Sequence, residues 1–211
     1  MKNFLLEYPF FYRLYQKIVR KKKHEYLFFN YIFSSISQKT KIRMLDICSG
    51  DSYVLNYISK YLDDYMGVDL NNKYLKNLSK NWPNFTFLNL DIMSKNTLEE
   101  LKNFNPNFIF MNGAIHHLND QTMNSIISLI SNFKDCYFLS VDPVNNENKL
   151  INKIMIKNDR GKFIRNPQQY KNIMSSFNSL IIDDFYIMSF KNIFHFKNIN
   201  LEKLYNEWQK L

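Results

Sequence analysis

The stretch from residue 42 to residue 52 constrains the fold of this chain more than any other part. It opens with apolar residues suited to a β-strand buried on both faces: Ile42, Met44, Leu45 and Ile47. Small and polar residues follow, and apolar side chains then recur at helical spacing from Val54 onward. This order predicts a strand, a tight turn and a helix, a junction at which open α/β sheets bind ligands. Asp46 indicates such a site, because a carboxylate in an apolar strand is costly unless something there uses it.

The turn after this strand favours one kind of ligand over another. A dinucleotide-binding fold needs Gly-x-Gly-x-x-Gly there, so that backbone amides can reach a pyrophosphate. Gly50 is the only glycine in the turn, and the carboxylate of Asp46 would repel a phosphate. The residues therefore favour a ligand that has a cationic amino-acid end and no phosphate.

Residues 45–52, Leu-Asp-Ile-Cys-Ser-Gly-Asp-Ser, resemble the first motif of class I S-adenosylmethionine-dependent methyltransferases. In that motif an acid is followed by alternating glycines, but here Cys48 and Ser52 stand where glycines are usual. A Cβ at either place would crowd the cofactor unless the φ angle there is negative. The alternative interpretation of this stretch alone is an ordinary strand, turn and helix.

Two further predicted strands also end in an acid. Residues 65–70 end in Asp69 and Leu70, and Asp69 follows Asp46 at close to the interval of about 20 residues at which an acid meets ribose hydroxyls. Residues 85–92 end in Asp91 and Ile92, and the resemblance implies that these two contact the adenine. Each acid could instead cap a helix or a turn. The repetition at three successive strand ends favours the ligand role.

The resemblance thus implies S-adenosylmethionine as the cofactor. Its implied contacts come from the turn, from the next two strand ends and from the end of the fourth strand: Asp46, Cys48, Ser49, Gly50, Asp69, Leu70, Asp91, Ile92 and Asn112.

The fourth strand and its loop, residues 107–118, supply the predicted catalytic residues. Methyltransferases that act on nucleobase amines usually carry Asn/Asp-Pro-Pro-aromatic here, whereas this chain has Asn112-Gly113 and resembles the small-molecule branch. An oxygen acceptor needs a base, and His116 or His117 is best placed, with a slight preference for His116. One ring could instead brace the loop. No metal site is predicted, because adjacent histidines on one loop point apart and no set of acids and cysteines completes a site. If the segment is extended, only one of the two rings can point inward.

Two helical regions are expected to cover the site. The resemblance implies that the aromatic-rich residues 1–38 form a lid, with Tyr12 as a substrate contact. Residues 143–178 are polar and predict a helical insertion over the carboxyl edge of the sheet. Within it, Asp159-Arg160-Gly161 and the later Arg165-x-Pro-x-x-Tyr170 resemble an element of some bacterial methyltransferases, often encoded among surface-polysaccharide or lipid-linked genes. Arg160, Arg165 and Tyr170 are predicted to bind an acidic substrate. Alternatively, Arg165 pairs locally and Pro167 starts a helix.

The predicted fold is α/β, with 1–211 as a single methyltransferase domain. Residues 137–142 are predicted to form a fifth strand and residues 200–211 a terminal helix. The last strands are predicted at residues 180–182, 185–188 and 193–196, with an antiparallel pair among them. The resemblance, most specific over residues 44–142, implies a Rossmann-like, seven-stranded, mostly parallel sheet. Helices are expected on both of its faces, and the last strand is expected to be antiparallel.

Composition limits the partners. The formal net charge of +9 makes nucleic acid or an anionic membrane surface possible partners, although a short basic run such as Arg20–Lys23 is usually a solvated helix face. Both cysteines fall at predicted strand ends and predict reduced thiols in a cytoplasmic protein. No apolar run approaches the ~20 residues that span a membrane, and Glu7 and Arg13 interrupt the N-terminal apolar stretch.

The sequence therefore predicts transfer of a methyl group from S-adenosylmethionine to a small-molecule acceptor or one linked to a lipid or sugar carrier. One alternative is an RNA-modifying methyltransferase that uses the basic surface. Another is a cofactor-binding but catalytically silent partner subunit, which the incomplete glycine motif would explain. The sequence does not identify the acceptor or the oligomeric state.

Overall fold

The protein is built on one seven-stranded sheet. The computed structural model describes residues 22–94, 97–145, 153, 156, 159, 161–183 and 191–211. The strands are β1 Ile42–Ile47, β2 Leu62–Val68, β3 Thr86–Leu88, β4 Phe108–Asn112, β5 Tyr137–Pro143, β6 Asn178–Ile182 and β7 Asn192–Lys197. Their order is β3-β2-β1-β4-β5-β7-β6, and β7 runs antiparallel to both of its neighbours while the other pairs are parallel. The predicted mostly parallel sheet with an antiparallel last strand is confirmed.

Helices cover both faces of this sheet. They are α1 Lys22–Ser37, α2 Leu55–Ile58, α3 Asn72–Asn81, α4 Thr97–Phe104, α5 Asp120–Ser131, α6 Pro167–Ile173 and α7 Leu201–Trp208. Asparagine side chains accept a backbone N–H at the start of four of them, namely Asn71, Asn119, Asn166 and Asn200. The starts of these helices could be predicted from the sequence, because a capping residue directly precedes the helix that it caps. None of the helices in the described ranges is both long and apolar enough to cross a membrane.

Side chains that alternate along a strand pack into two separate hydrophobic cores, one on each face of the sheet. On β4, Phe108 and Phe110 pack with the helices α1 and α2, whereas Ile109 and Met111 pack with α4, α5 and α6. Both cores are closed by fully buried apolar side chains, as expected for parallel strands that are covered on both faces. The polar residues that follow the carboxyl ends of the parallel strands therefore lie at one edge of the sheet, between the two cores.

The described part of the N-terminal region belongs to the core. In α1, Phe29 packs edge-to-face on Phe110 and Phe33 lies against Phe108. The aromatic stripe of α1 thus serves the packing role that such spacing usually has. Tyr12 and the rest of residues 1–21 lie outside the described residues, so the predicted lid stays a prediction.

The third strand is shorter than the sequence predicted. It ends at Leu88. At the next residue, the side-chain amide of Asn89 donates to the backbone carbonyls of Asp69 and Leu70. Asp91 therefore lies in a loop beyond the strand rather than at its last position. The stretch 185–188, predicted as a strand, lies outside the described residues.

Candidate functional site

Four acids converge on the turn after β1. Burial raises the pKa of the Cys48 thiol to about 12, and the negative charges of Asp69, Asp46, Asp142 and Asp91 add to this effect. These acids come from the ends of β1, β2 and β5 and from the loop after β3, so the sheet gathers them at one edge. The thiol stays protonated at neutral pH and is not a nucleophile. Cys48 and Cys136 are both free thiols.

The turn keeps a glycine-like backbone where glycine is missing. The φ angles of Cys48, Gly50 and Ser52 are 57°, 54° and 39°, all in the left-handed region. A side chain costs about 1–2 kcal/mol in that region, and such strain persists only where the surroundings impose it. The negative φ that would relieve crowding by Cys48 and Ser52 is therefore absent, and both positions are strained.

Asp46 is held inside the protein by two hydroxyls. Its Oδ2 accepts from Tyr65 Oη at 2.7 Å and from Ser52 Oγ at 3.1 Å, and those two oxygens lie 2.6 Å apart. Burial raises the pKa of Asp46 to about 7, although the Tyr65 and Ser52 hydrogen bonds lower it and Asp69 raises it. The Ser52 side chain, which strains the turn, thus also fixes the acid that the turn presents.

Asp69 ties the turn to the end of β2. Its Oδ2 accepts from Gly50 N at 2.8 Å, and its Oδ1 accepts from Asn71 N at 2.7 Å. Each carboxylate oxygen can accept a second hydrogen bond, so these contacts leave acceptor capacity for a ligand. The next residue, Leu70, is 71% exposed beside this acid.

The remaining predicted cofactor contacts are spread along the same edge. Asp91 accepts from Met93 N through Oδ1, as a turn acid does, and Ile92 is half-buried. Ser49 is nearly buried, and its Oγ has no hydrogen-bond partner among the residues that the structure describes. Asn112 is half-buried at the end of β4. The ligand roles of these four residues stay predictions.

His116 lies between two carboxylates. Its Nδ1 is 2.7 Å from Asp142 Oδ1, and its Nε2 is 3.3 Å from Asp159 Oδ1. The backbone N–H of His116 also donates to Asp142 Oδ1, at 3.1 Å. Burial lowers the pKa of this imidazole, but the two carboxylates outweigh burial and bring the pKa to about 9.

These contacts count against His116 as the base. At neutral pH the ring of His116 is protonated and donates both of its N–H groups. It therefore cannot take a hydroxyl proton from the molecule that receives the methyl group. The geometry instead agrees with the alternative that one ring braces the loop. The segment is also not extended, because Ile115–His117 form a 3₁₀ turn.

His117 occupies a different environment. It is exposed, and its ring centroid lies 4.1 Å from that of His116, with the planes at 40°. Only His116 of the two is buried, but the two rings lie side by side and do not face opposite ways as they would in an extended segment. His117 keeps the exposure that a proton-accepting group needs.

The predicted substrate contacts Arg165 and Tyr170 are occupied inside the fold. All five N–H groups of Arg165 are used, since the guanidinium donates to Asp120 and to the carbonyls of Ile115, Leu118 and Phe163. Tyr170 is fully buried, and its hydroxyl donates to Pro143 O. The structure therefore corrects both assignments to structural roles. Arg160, like Tyr12, lies outside the described residues.

A separate polar groove lies away from the acids. It has a volume of about 530 Å³ and is lined by Asp120, Asn124, Phe163, Ile164, Arg165, Gln169, Asn172 and Ile173. The groove shares no residue with the acidic edge. Its one arginine is already saturated, so the groove offers no guanidinium to an anion.

Sequence reasoning missed Asp142, Tyr65 and Asp159. Asp142 could have been found, because it is a fourth acid at a strand end and follows the same signal as the other three. The contacts of Tyr65 with Asp46 and of Asp159 with His116 depend on three-dimensional packing, and no local pattern indicates them.

The sheet topology identifies the fold of this chain. The chain has the fold of class I S-adenosylmethionine-dependent methyltransferases. It resembles the methyltransferase domain of bacterial CtHen1, with a TM-score of 0.62 at 11% identity over 83% of this chain and 98% of that one. The YcgJ protein of Bacillus subtilis gives a TM-score of 0.52 at 16% identity, over 71% and 69% of the two chains.

A third structure with this fold carries the cofactor. Human N-acetylserotonin methyltransferase in complex with S-adenosylmethionine gives a TM-score of 0.58 at 12% identity, over 80% of this chain and 51% of that one. No family model and no curated protein matches the sequence. At these identities the likeness shows the fold alone.

Proposed function

We propose that this protein transfers a methyl group from S-adenosylmethionine to a small-molecule or carrier-linked acceptor. The observation that carries the proposal is that Asp46 and Asp69 both bind a turn with left-handed backbone, with Asp91 near the same edge of the sheet. An acidic edge of this kind stabilises a cationic ligand and repels phosphate. S-adenosylmethionine carries a sulfonium and an ammonium group and has no phosphate.

The residues present suit the parts of this cofactor. The carboxylate of Asp69 has acceptor capacity for ribose hydroxyls, and the exposed Leu70 and half-buried Ile92 offer apolar surface to an adenine. The buried hydroxyl of Ser49 and the carboxylate of Asp46 are hydrogen-bonding groups for the amino-acid end. The cofactor supplies a methyl group already activated on sulfur, so the protein has chiefly to align the acceptor and exclude water.

An oxygen acceptor requires a base, and we assign that role to His117. It is the exposed member of the pair, next to the turn that follows β4. His117→Ala should lower turnover by roughly 10²–10⁴ on such an acceptor, with cofactor affinity nearly unchanged. Full turnover in this variant would show that the base lies elsewhere or that the reaction needs none.

The proposal is tested by transfer of labelled methyl from S-adenosylmethionine. The acceptors to screen are sugars, lipid-linked intermediates and phenols, with bulk tRNA as the arm for an RNA-modifying enzyme. We expect label in a small-molecule or carrier-linked product and none in RNA. Label in tRNA would show that the acceptor is RNA and not a small or carrier-linked molecule. Cofactor binding without transfer to any acceptor would favour a silent partner subunit.

Reduced Cys48 and Cys136 suit the cytoplasmic location that belongs to this proposal.

A further inference from the structure

A short segment of the region after β5 wraps around the turn that follows β4. We call this segment the strap and define it by its described residues, Asp159 and 161–165. Its backbone N–H at Phe163 donates to His116 O at 2.9 Å. Arg165 Nη1 donates to Ile115 O at 3.2 Å, and Nη2 donates to Leu118 O at 2.7 Å. Three carbonyls of the turn region are therefore satisfied by the strap.

Gly161 lets the strap approach His116 closely. A Cβ added at Gly161 would stand 2.0 Å from His116 Cδ2 and 2.8 Å from His116 O. Contacts below 3.0 Å require atoms to move, so any side chain at this position would push the strap away from the turn. The Gly161 N–H also donates to Asp159 Oδ1, which holds the carboxylate toward the imidazole. Glycine at this position is thus required by packing.

The imidazole of His116 joins the strap to the sheet. One ring nitrogen meets Asp142, which is buried at the carboxyl end of β5, and the other meets Asp159 of the strap. We propose that His116 is a positioning residue, which bridges Asp142 and Asp159 and so fixes the strap against the turn after β4. In the proposed function, on which this consequence rests, the fixed strap forms a wall on the acceptor side of the site.

The charge of the imidazole gives this bridge a pH dependence. The groups that face it are Asp142 from β5, Asp159 from the strap and the neighbouring ring of His117, while the Arg165 guanidinium binds the carbonyl of Ile115 next to it. In the folded protein the pKa of His116 is raised from 6.5 to about 9. The stabilisation is therefore fully present below pH 6.5 and is lost as the pH rises through about 9.

The first test follows the His116 ring by NMR in protein with ¹⁵N-labelled histidine. The chain has 4 histidines, so the titrations can be resolved. We expect His116 to titrate near pH 9 in the wild type. In Asp159→Asn, which removes one of the two charges, the pKa of His116 should fall by about one to three pH units. The matched control is Asp135→Asn. Asp135 is an exposed acid that precedes the N-terminal end of β5, whereas Asp142 lies near the C-terminal end, so this variant should leave the titration of His116 unchanged.

The second test measures attachment of the strap by limited trypsin digestion. Arg160 and Lys162 place tryptic sites within this stretch of sequence. If His116 holds the strap, Asp159→Asn should be cleaved there about tenfold faster than the wild type and Asp135→Asn, because local opening becomes easier. Gly161→Ala should show the same acceleration through steric displacement, whereas Asp159→Glu should restore most of the protection.

These measurements separate the bridge from the proposed function, because neither requires a cofactor or an acceptor. Equal digestion of all variants, or a His116 pKa that is unchanged in Asp159→Asn, would overturn the bridge and leave the proposed function standing. A bridge that behaves as expected in a protein that binds no S-adenosylmethionine would defeat the proposed function alone. Once an acceptor is known, Asp159→Asn should raise KM for that acceptor and leave cofactor affinity unchanged.

Discussion

At the residue scale, the main departure from an ordinary methyltransferase motif is a pair of side chains on a backbone that favours glycine. Cys48 and Ser52 have φ angles of 57° and 39°. Ser52 has a visible compensation, because its hydroxyl binds Asp46. Cys48 has no such side-chain hydrogen bond among the residues that the structure describes, so its strain should be measurable.

A pair of substitutions at Cys48 isolates this strain. At an ordinary position Ala is more stable than Gly by roughly 0.5–1 kcal/mol, because Gly loses more backbone entropy on folding. At the left-handed φ of Cys48 the Cβ of Ala costs about 1–2 kcal/mol. We therefore expect Cys48→Gly to have a higher free energy of unfolding than Cys48→Ala by about 0.5–1 kcal/mol in urea titrations, with cofactor affinity kept or improved. The reverse order would show that the turn adopts a different backbone.

The hydroxyl of Tyr65 offers a second test at a single residue. The raised pKa of Asp46, about 7 against an ordinary 3.8, means that the folded protein retains a proton that the unfolded chain releases. This group therefore makes stability fall as the pH rises from about 4 to 7, after which the effect is constant. Tyr65→Phe removes a hydrogen bond that lowers this pKa, and it should shift the fall to higher pH.

The expected cost of Tyr65→Phe is about 1–3 kcal/mol at pH 8, where Asp46 is ionised, and less at pH 5. Urea unfolding at the two pH values measures both. Ser52→Gly removes the other hydroxyl and relieves the strain, so its loss should be smaller. An equal cost of Tyr65→Phe at pH 5 and pH 8 would mean that the hydroxyl does not support the carboxylate.

At the scale of elements, the segment from the strap to α6 shows which assignments local sequence could supply. Pro167 starts α6, and Asn166 with Gln169 forms a capping box, so this helix start could be predicted from neighbouring residues. The partner of Arg165 could not, because Asp120 is 45 residues away in the chain. The sequence therefore predicted that the guanidinium binds an acidic substrate, whereas in the structure it binds Asp120.

Substituting Arg165 distinguishes its structural role from substrate capture. Lys cannot reproduce five planar donors, so Arg165→Lys should leave carbonyls of the turn unpaired and cost about 2 kcal/mol or more in free energy of unfolding. Lys162→Met, which removes an exposed positive charge from the same segment, should cost about 0.5 kcal/mol or less. If Arg165→Lys is as stable as the wild type, the guanidinium is free to serve a ligand.

At the scale of the whole molecule, the net charge and the site have opposite signs. The chain carries a formal net charge of +9, yet four acids lie near one another at the carboxyl edge of the sheet. The mostly parallel sheet with its antiparallel last strand and the acids of the first two strands could be predicted, because apolar periodicity and resemblance to a known motif indicate them. The roles of His116 and Asp142 could not, since they lie 26 residues apart and their pairing depends on how β5 meets the turn after β4.

Calorimetry of the purified protein measures whether the acidic edge binds S-adenosylmethionine. The wild type should bind S-adenosylmethionine or its demethylated product at one site. Asp69→Ala should weaken binding by about 1–3 kcal/mol, roughly 5- to 150-fold, because it leaves ribose hydroxyls without their acceptor. Asp135→Ala, the same change at an exposed acid outside the site, should bind as the wild type does. Absence of heat with either ligand in the folded wild-type protein would show that this edge does not bind the cofactor, and equal affinity in Asp69→Ala would show that Asp69 does not contact it.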